Sequence, residues 1–462
     1  MKFRIDRLLL MAILLVGVGQ LTFTIVVDPH VRCSTTPEIA SALANEGLPA
    51  KEQCLSDATA YHLLAAELSD TGRYERPFDR ILLREHRPTA EYPPLFPFAL
   101  SLVHRAGINS VDGAQAVIGT LNAMLTALAV CLIARTVGLG RWLQATAILI
   151  VGFQPLLLQA HALLMTDSMF LMIATFVALL AINAARRPGF MSAARLGIAL
   201  GAAALTRGEG LLWIPILATF LGIAIARPFS VARRIAIGAA VLVFAGAVLL
   251  PWTARNAARF DALVPVSNNL GTVLDGANCE LTYYGQGIGS WRSTFSAGAI
   301  DRTTDCFEGF HIEDNDFNEI RATTEARRAG TNYAKSHARR LPVVGAARVA
   351  RTFGAFNPGQ QINLEVLEGR DHLWQTVGTA LWWITMPLAM AGLALMFRRD
   401  MTLSLMLAVP WVAVVITSVA TYGNQRFRIG LDAVAIVLGL LAVHELTQTP
   451  SAIEHTASPA DS

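Results

Sequence analysis

The stretch Leu196–Ile225 reads LGIALGAAALTRGEGLLWIPILATFLGIAI. It is too long for one helical crossing of a ~30 Å hydrocarbon core. Thr206-Arg207-Gly208-Glu209-Gly210 interrupts it, and charge and glycine together break both helix and burial. The reading is therefore two short spans, 196–206 and 211–226, joined by a tight polar turn. Further apolar runs at 8–27, 113–134, 142–162, 165–185, 235–252, 373–397, 401–420 and 429–446 extend the same pattern. Together they predict a polytopic α-helical membrane protein of about ten transmembrane helices.

Composition agrees. The 462 residues are 53% hydrophobic and 15% charged, with mean hydropathy +0.46, whereas soluble domains carry about 25% charge. A net charge of +3 gives no case for a nucleic-acid partner. Lysine is confined to Lys2, Lys51 and Lys335 among 37 basic residues, which hints at a GC-rich bacterial genome. The first apolar run follows Lys2, Arg4 and Arg7. It is longer than the apolar region of a signal peptide and lacks an A-x-A-like cleavage site, so it is read as an uncleaved span.

Arginine placement orients the chain. Arg135 and Arg141, then Arg186, Arg187 and Arg195, then Arg227, Arg233 and Arg234, then Arg398 and Arg399 occupy alternate short connections. With the basic N-terminus they fall on one side of a ten-span arrangement, as the positive-inside rule requires. This holds if the segment from Pro94 to Val103 stays at the interface as a partly embedded helix. Both termini are then cytoplasmic. The expected organisation is a first transmembrane helix (1–28), an external loop with amphipathic juxtamembrane helices (29–112) and a transmembrane core (113–252). A second external loop domain (253–372), the C-terminal spans (373–446) and a disordered cytoplasmic tail (447–462) follow. In the first loop, Tyr61, Leu64, Ala65 and Leu68 give one apolar face to a helix over Asp57–Ser69, with Ser56 as its cap. Connections as long as these two external regions are uncommon without a function.

Polar residues gather at the outer ends of the spans. Asp57 heads the first-loop helix beside Tyr61 and His62; the helix dipole there favours an ionised carboxylate able to accept a proton, or one that simply stabilises its own first turn. Glu91 lies in a proline-restricted turn before Pro93-Pro94, where it is either a substrate-orienting acid or a solvated loop acid. Asp167 follows Thr166, which is expected to cap the next span. Arg207 with Glu209, Arg255 with Asn256, and Arg426 with Arg428 place arginines where the positive-inside rule would leave none. Each alone suits an interfacial arginine; together they point to an anionic headgroup or phosphate. Cys33 with Cys54, and Cys279 with Cys306, share polar regions, and each pair can form a disulfide in an oxidising compartment or stay as thiols. Cys131 lies within an apolar run. Asp314-Asn315-Asp316 is formally D-x-D but stands in an acidic loop, and no histidine spacing suits a metal. Walker A, Rossmann and G-x-S-x-G patterns are absent, so ATP-driven and cytosolic nucleotide-sugar chemistry find no support.

The ordered pieces resemble the GT-C glycosyltransferases of the protein-mannosyltransferase-like group, which depend on polyprenyl-phosphate sugars. They are Asp57-Ala58-x-x-Tyr61, Glu91-x-Pro93-Pro94-Leu95, Met165-Thr166-Asp167-Ser168, Thr206-Arg207-x-Glu209-Gly210, Pro251-Trp252-x-x-Arg255-Asn256 and Arg426-Phe427-Arg428. Asn278 to Gly285 and Glu368-Gly369-Arg370 look like a bacterial subgroup. The family's frequent paired acid is missing, since Ala58 follows Asp57, which argues against a protein-mannosyltransferase acceptor. The resemblance implies inverting transfer of one sugar from a polyprenyl-phosphate donor to a lipid, glycan or protein hydroxyl at the outer face of the bacterial plasma membrane. It makes Asp57 the base, Glu91 its helper, and Arg207, Arg255, Arg426 and Arg428 the donor-phosphate ligands. Tyr61, His62, Asp167, Glu209 and Asn256 are assigned to substrate binding. No cofactor is required by this reading, and a divalent metal is not supported by the sequence. The competing readings are a transporter, a flippase for lipid-linked sugar, or a non-catalytic subunit of the same fold.

Overall fold

The computed structural model of the chain describes residues 6–27, 37–48, 50, 56–225, 229–292, 306 and 317–448. After α1 (Arg7–Val27), the first polar region carries α2 (Pro37–Asn45), α3 (Asp57–Asp70) and α4 (Leu95–Arg105). The bundle continues through α5 (Val111–Thr136), α6 (Arg141–Phe153), α7 (Pro155–Ala162), α8 (Thr166–Arg186), α9 (Phe190–Thr206), α10 (Gly210–Ala224) and α11 (Val231–Phe260). The second polar region holds α12 (Leu270–Ala277), α13 (Glu280–Tyr283), α14 (Glu319–Ser336), α15 (Leu341–Thr352) and α16 (Pro358–Leu367). Helices α17 (His372–Arg399), α18 (Met401–Ala420) and α19 (Ile429–Thr447) complete the bundle. Among the described residues the only extended pairing is an isolated bridge between Glu75 and Pro88.

All ten apolar runs are helical. Seven are long and apolar enough to cross a membrane, α19 being counted with the turn before it. Helices α9 and α10 are shorter, as the Arg207–Glu209 interruption dictates. The run 142–162 is long and apolar enough for one span only as a bent pair, α6 and α7 being bent by 58° at their junction. Pro155 has no N–H to continue α6, and the Gln154 side chain accepts the Leu157 N–H at 2.8 Å, starting a new helix instead. Helices α8 and α19 lie at the centre, buried along most of their length. At Gly392 the backbone of α17 comes so close to the Leu438 carbonyl of α19 that a side chain would have no room.

The two ends of the bundle differ. At one end Arg186 donates to the Thr136 carbonyl and to Asp400 (both 3.3 Å), Arg399 pairs with Glu445 and Thr402 donates to the Ala224 carbonyl. These contacts gather the short arginine-bearing connections. Both large polar regions and the 206–210 and 421–428 turns lie at the other end, which is the alternation that the arginine pattern predicts.

The first polar region is more deeply embedded than the sequence suggests. Ser56 caps α3 as expected, its Oγ accepting from the Thr59 N–H at 3.2 Å. The single apolar face does not hold: Ala58 to Ala65 are all buried, including Thr59 and His62, because α4 and the Tyr92 turn before it pack closely on the helix. Helix α4 remains short, with Phe98 and Leu102 about half exposed on its outer face, which suits an interfacial position. In the second region α12 and α14 touch closely at Gly271, where a Cβ would collide with the Thr323 carbonyl. Cys279 and Cys306 are joined in a disulfide, with Cα atoms 5.1 Å apart, and Cys131 is a buried free thiol. Cys33, Cys54 and Asp314 to Asp316 lie outside the described residues.

Candidate active site

The end of the bundle that carries both polar regions is organised around Asp167, in the first turn of α8. The helix N-terminus favours a carboxylate at this position. Three arginines from distant parts of the chain converge on it: Arg207 in direct contact, Arg426 at 3.0 Å and Arg370 at 3.1 Å. Each has a second acid. Arg207 makes a two-pronged pair with Glu209 (3.0 and 3.3 Å), Arg426 binds Glu368 at 2.6 Å, and Arg370 binds Glu365 at 2.5 Å. Thr166 is not the cap expected of it. Met165 occupies that position, and Thr166 hydrogen-bonds Tyr61 instead, tying α3 to the start of α8.

Asp57 stands beside this cluster, one turn before Tyr61. Solvent reaches its carboxylate, yet the surrounding protein is close enough that burial raises its pKa above the usual value. Arg426 opposes the shift, while Glu368 and Asp167 reinforce it. The ionising effect expected from the helix terminus is therefore outweighed. Tyr92 donates its hydroxyl to Asp57 Oδ1 at 3.2 Å, and the Tyr61 ring lies edge-on to Tyr92 and Phe96.

Glu91, next to Tyr92, belongs to a second charged group. Arg76 bridges Asp79 (3.1 Å), Glu319 (3.3 Å) and Glu91 (3.5 Å). Burial pushes the Glu91 carboxyl up to about 7, with Arg76 pulling it down and Glu319 and Asp57 pushing it further up. Glu319, the first residue of α14, accepts from Thr89 Oγ1 (2.8 Å), the Ala90 N–H (2.9 Å) and Asn268. The second polar region thus clamps the turn that carries Glu91.

Other sequence candidates lie elsewhere. Arg255 donates to the backbone carbonyls of Thr89 (2.6 Å) and Tyr74 (2.8 Å) and stacks over Trp252, while Asn256 links it to the Val264 carbonyl. Arg428 is fully buried, set over the Trp382 ring and paired with Asp432 at 3.3 Å. His62 packs against His104, and burial lowers its pKa to about 4. None of these side chains joins the Asp167 cluster. Arg370, Glu368 and Glu365 do, although the sequence assigned them no role; the signal for Glu368 and Arg370 was only the Glu368-Gly369-Arg370 tripeptide before α17, and Glu365 had none. Glu319 and Tyr92 carried no signal at all. Among the described residues no group of three or more His, Cys, Asp or Glu is arranged to hold a metal ion.

No protein-family model matches this sequence, and no curated protein matches it. Solved structures do. The oligosaccharyltransferase AglB from Archaeoglobus fulgidus, solved with an inhibitory peptide and a dolichol-phosphate, superposes with a TM-score of 0.53 at 14% identity. The alignment covers 95% of this chain and 50% of AglB, so the chain spans about half the length of that enzyme. The apo form of the Archaeoglobus fulgidus oligosaccharyltransferase gives a TM-score of 0.50 at 12% identity, with the same coverage. ArnT from Cupriavidus metallidurans, bound to undecaprenyl phosphate, gives 0.40 at 15% identity over 95% of this chain and 78% of ArnT. At such identities the likeness is one of fold: the chain is a polytopic helical membrane protein whose fold is like that of the Archaeoglobus fulgidus oligosaccharyltransferase.

Proposed function

We propose that this chain is a membrane glycosyltransferase. It moves one sugar, with inversion, from a polyprenyl-phosphate donor to a hydroxyl of a cell-envelope acceptor at the outer face of the bacterial plasma membrane. The observation that carries this reading is the position of Asp57 beside the three arginines gathered on Asp167. A carboxylate base next to arginines that can re-pair onto a departing phosphate is what attack on a phosphate-activated sugar calls for. AglB, which shares the fold, was solved with a dolichol-phosphate, and an anionic polyprenyl carrier is in keeping with that.

In the reaction Asp57 removes the acceptor hydroxyl proton as that oxygen bonds to the anomeric carbon. The bond from the anomeric carbon to the donor phosphate oxygen breaks, and its electron pair leaves with the lipid phosphate. Arg207, Arg370 and Arg426 stabilise that phosphate by exchanging part of their pairing with Asp167 and Glu368, so no strong general acid is needed. Tyr92 orients the base, Glu91 positions the acceptor hydroxyl, and Tyr61 holds α3 against α8. Arg255 and Arg428 act as braces of the surrounding fold.

The test is transfer from a radiolabelled polyprenyl-phosphate sugar by the purified protein in lipid, with an envelope extract as acceptor. Asp57→Asn is expected to lower the rate at least ~100-fold while leaving retention of the labelled donor unchanged. Near-normal transfer by the variant sinks the role of Asp57. Label that crosses the bilayer without a new glycosidic bond makes the protein a flippase.

A further inference from the structure

Tyr422 stands in the turn before α19 that also carries Arg426. That turn is held from several sides. The Gly423 N–H donates to the Gly289 carbonyl at 2.7 Å, the Asn424 N–H to Thr352 Oγ1 at 3.2 Å, and the Arg426 N–H to Asn424 Oδ1 at 2.8 Å. Gly423 lies so close to the Arg348 carbonyl that a side chain there would collide with it. The Tyr422 ring is set edge-on to Phe427 at 4.8 Å and tilted by 45° to Trp291 at 6.4 Å. Backbone and ring are therefore positioned before any ligand arrives.

The hydroxyl at the end of that ring has no use within the fold. Tyr61, Tyr74, Tyr92 and Tyr283 all hydrogen-bond through theirs, as enclosed tyrosines usually do. Tyr422 is half-buried, yet its hydroxyl makes no hydrogen bond among the described residues and is reached by solvent. It lies within electrostatic reach of Arg426, Glu368, Arg207 and Glu209. Glu368 is where this group opens to solvent, its side chain 38% exposed against 10–12% for the other three. Burial raises the pKa of the Tyr422 hydroxyl, with Arg426 opposing, so it stays a neutral donor. The arginines suit a charged ligand group. A neutral hydroxyl on a fixed aromatic ring suits an uncharged one, with hydroxyls at its rim and C–H groups on its face. A sugar ring has that form.

We propose that Tyr422 binds the sugar of the donor, its hydroxyl bonded to a sugar hydroxyl and its ring lying along the sugar's C–H face. The inference rests on the glycosyltransferase reading and adds a residue that selects which sugar is taken. Equilibrium retention tests it without turnover. Purified full-length protein in lipid is titrated with radiolabelled polyprenyl-phosphate mannose, glucose and arabinose, and with bare polyprenyl phosphate. Wild type is expected to hold one sugar carrier more tightly than the bare carrier. Tyr422→Phe should weaken that carrier about 3- to 10-fold and leave the bare one unchanged. Its thermal midpoint should equal wild type, because the hydroxyl removed has no hydrogen bond to lose. Tyr422→Leu, which also removes the ring, should weaken the sugar carrier further. An unchanged Tyr422→Phe titration, an equal loss for sugar and bare carriers, or a wild type that prefers no sugar carrier overturns the proposal. Sugar-dependent retention that Tyr422→Phe weakens, in a protein that transfers nothing, sinks the transfer reading and leaves the sugar site standing. Transfer with an unchanged Tyr422→Phe titration does the reverse.

Discussion

Glu91 shows how far a residue's surroundings decide its chemistry. With its carboxyl pushed up to about 7, it is largely neutral at pH 6 and largely ionised at pH 8. A role as carboxylate therefore predicts transfer that rises with pH through about 7, and loss of that limb in Glu91→Gln; initial rates from pH 5.5 to 8.5 decide it. The folded chain keeps this proton where the unfolded chain, near the ordinary value of 4.5, has released it. Stability contributed by Glu91 is thus full below about 4.5 and declines towards pH 7. Glu91→Gln should flatten that decline in thermal midpoints. The sequence exposed Asp167, Arg207, Glu209 and Arg426 because each interrupts or borders an apolar run, where charge is costly, and Asp57 because it heads an amphipathic helix in the first polar region. Arg370 and Glu319 escaped notice because they lie in polar stretches, where charge is ordinary. Arg255 and Arg428 were legible as outer-end arginines, but their direction depends on packing that no spacing reveals.

At the scale of elements, apolar periodicity and length located every long apolar helix, seven of them long enough to cross a membrane against about ten spans expected, whereas breaks depended on single residues. Gln154-Pro155 bends the α6–α7 run without any charge to announce it. The second polar region gave little away because its helices are short and held by tertiary contacts. Glu319 at the head of α14 is the main tie between the two polar regions. Glu319→Ala leaves Thr89, Ala90 and Asn268 without their acceptor and is expected to cost about 1–3 kcal/mol, read as a lower thermal midpoint. Transfer should fall with it, because the Glu91 turn loses its clamp, and Glu319→Gln should recover part of both. Gly271→Val is expected to lower the midpoint without touching the charged groups, since it separates α12 from α14.

For the whole molecule, the arginine alternation foretold which connections share an end, and this can be tested in cells. A membrane-impermeant maleimide added outside should label a cysteine placed at the exposed His86, but not one at Arg187 until the membrane is opened. The reverse pattern would invert the assigned orientation. The arginines on Asp167 come from the α9–α10 turn, the residues before α17 and the turn before α19, while Asp57 and Asp167 themselves lie earlier in the chain. The charged centre is therefore not a portable module. A chain divided at Arg187-Pro188, at the opposite end from the site, leaves both acids on one half and all three arginines on the other. Neither half can work alone, but the two co-expressed should complement, because α8 and α19 reunite them through buried apolar surface.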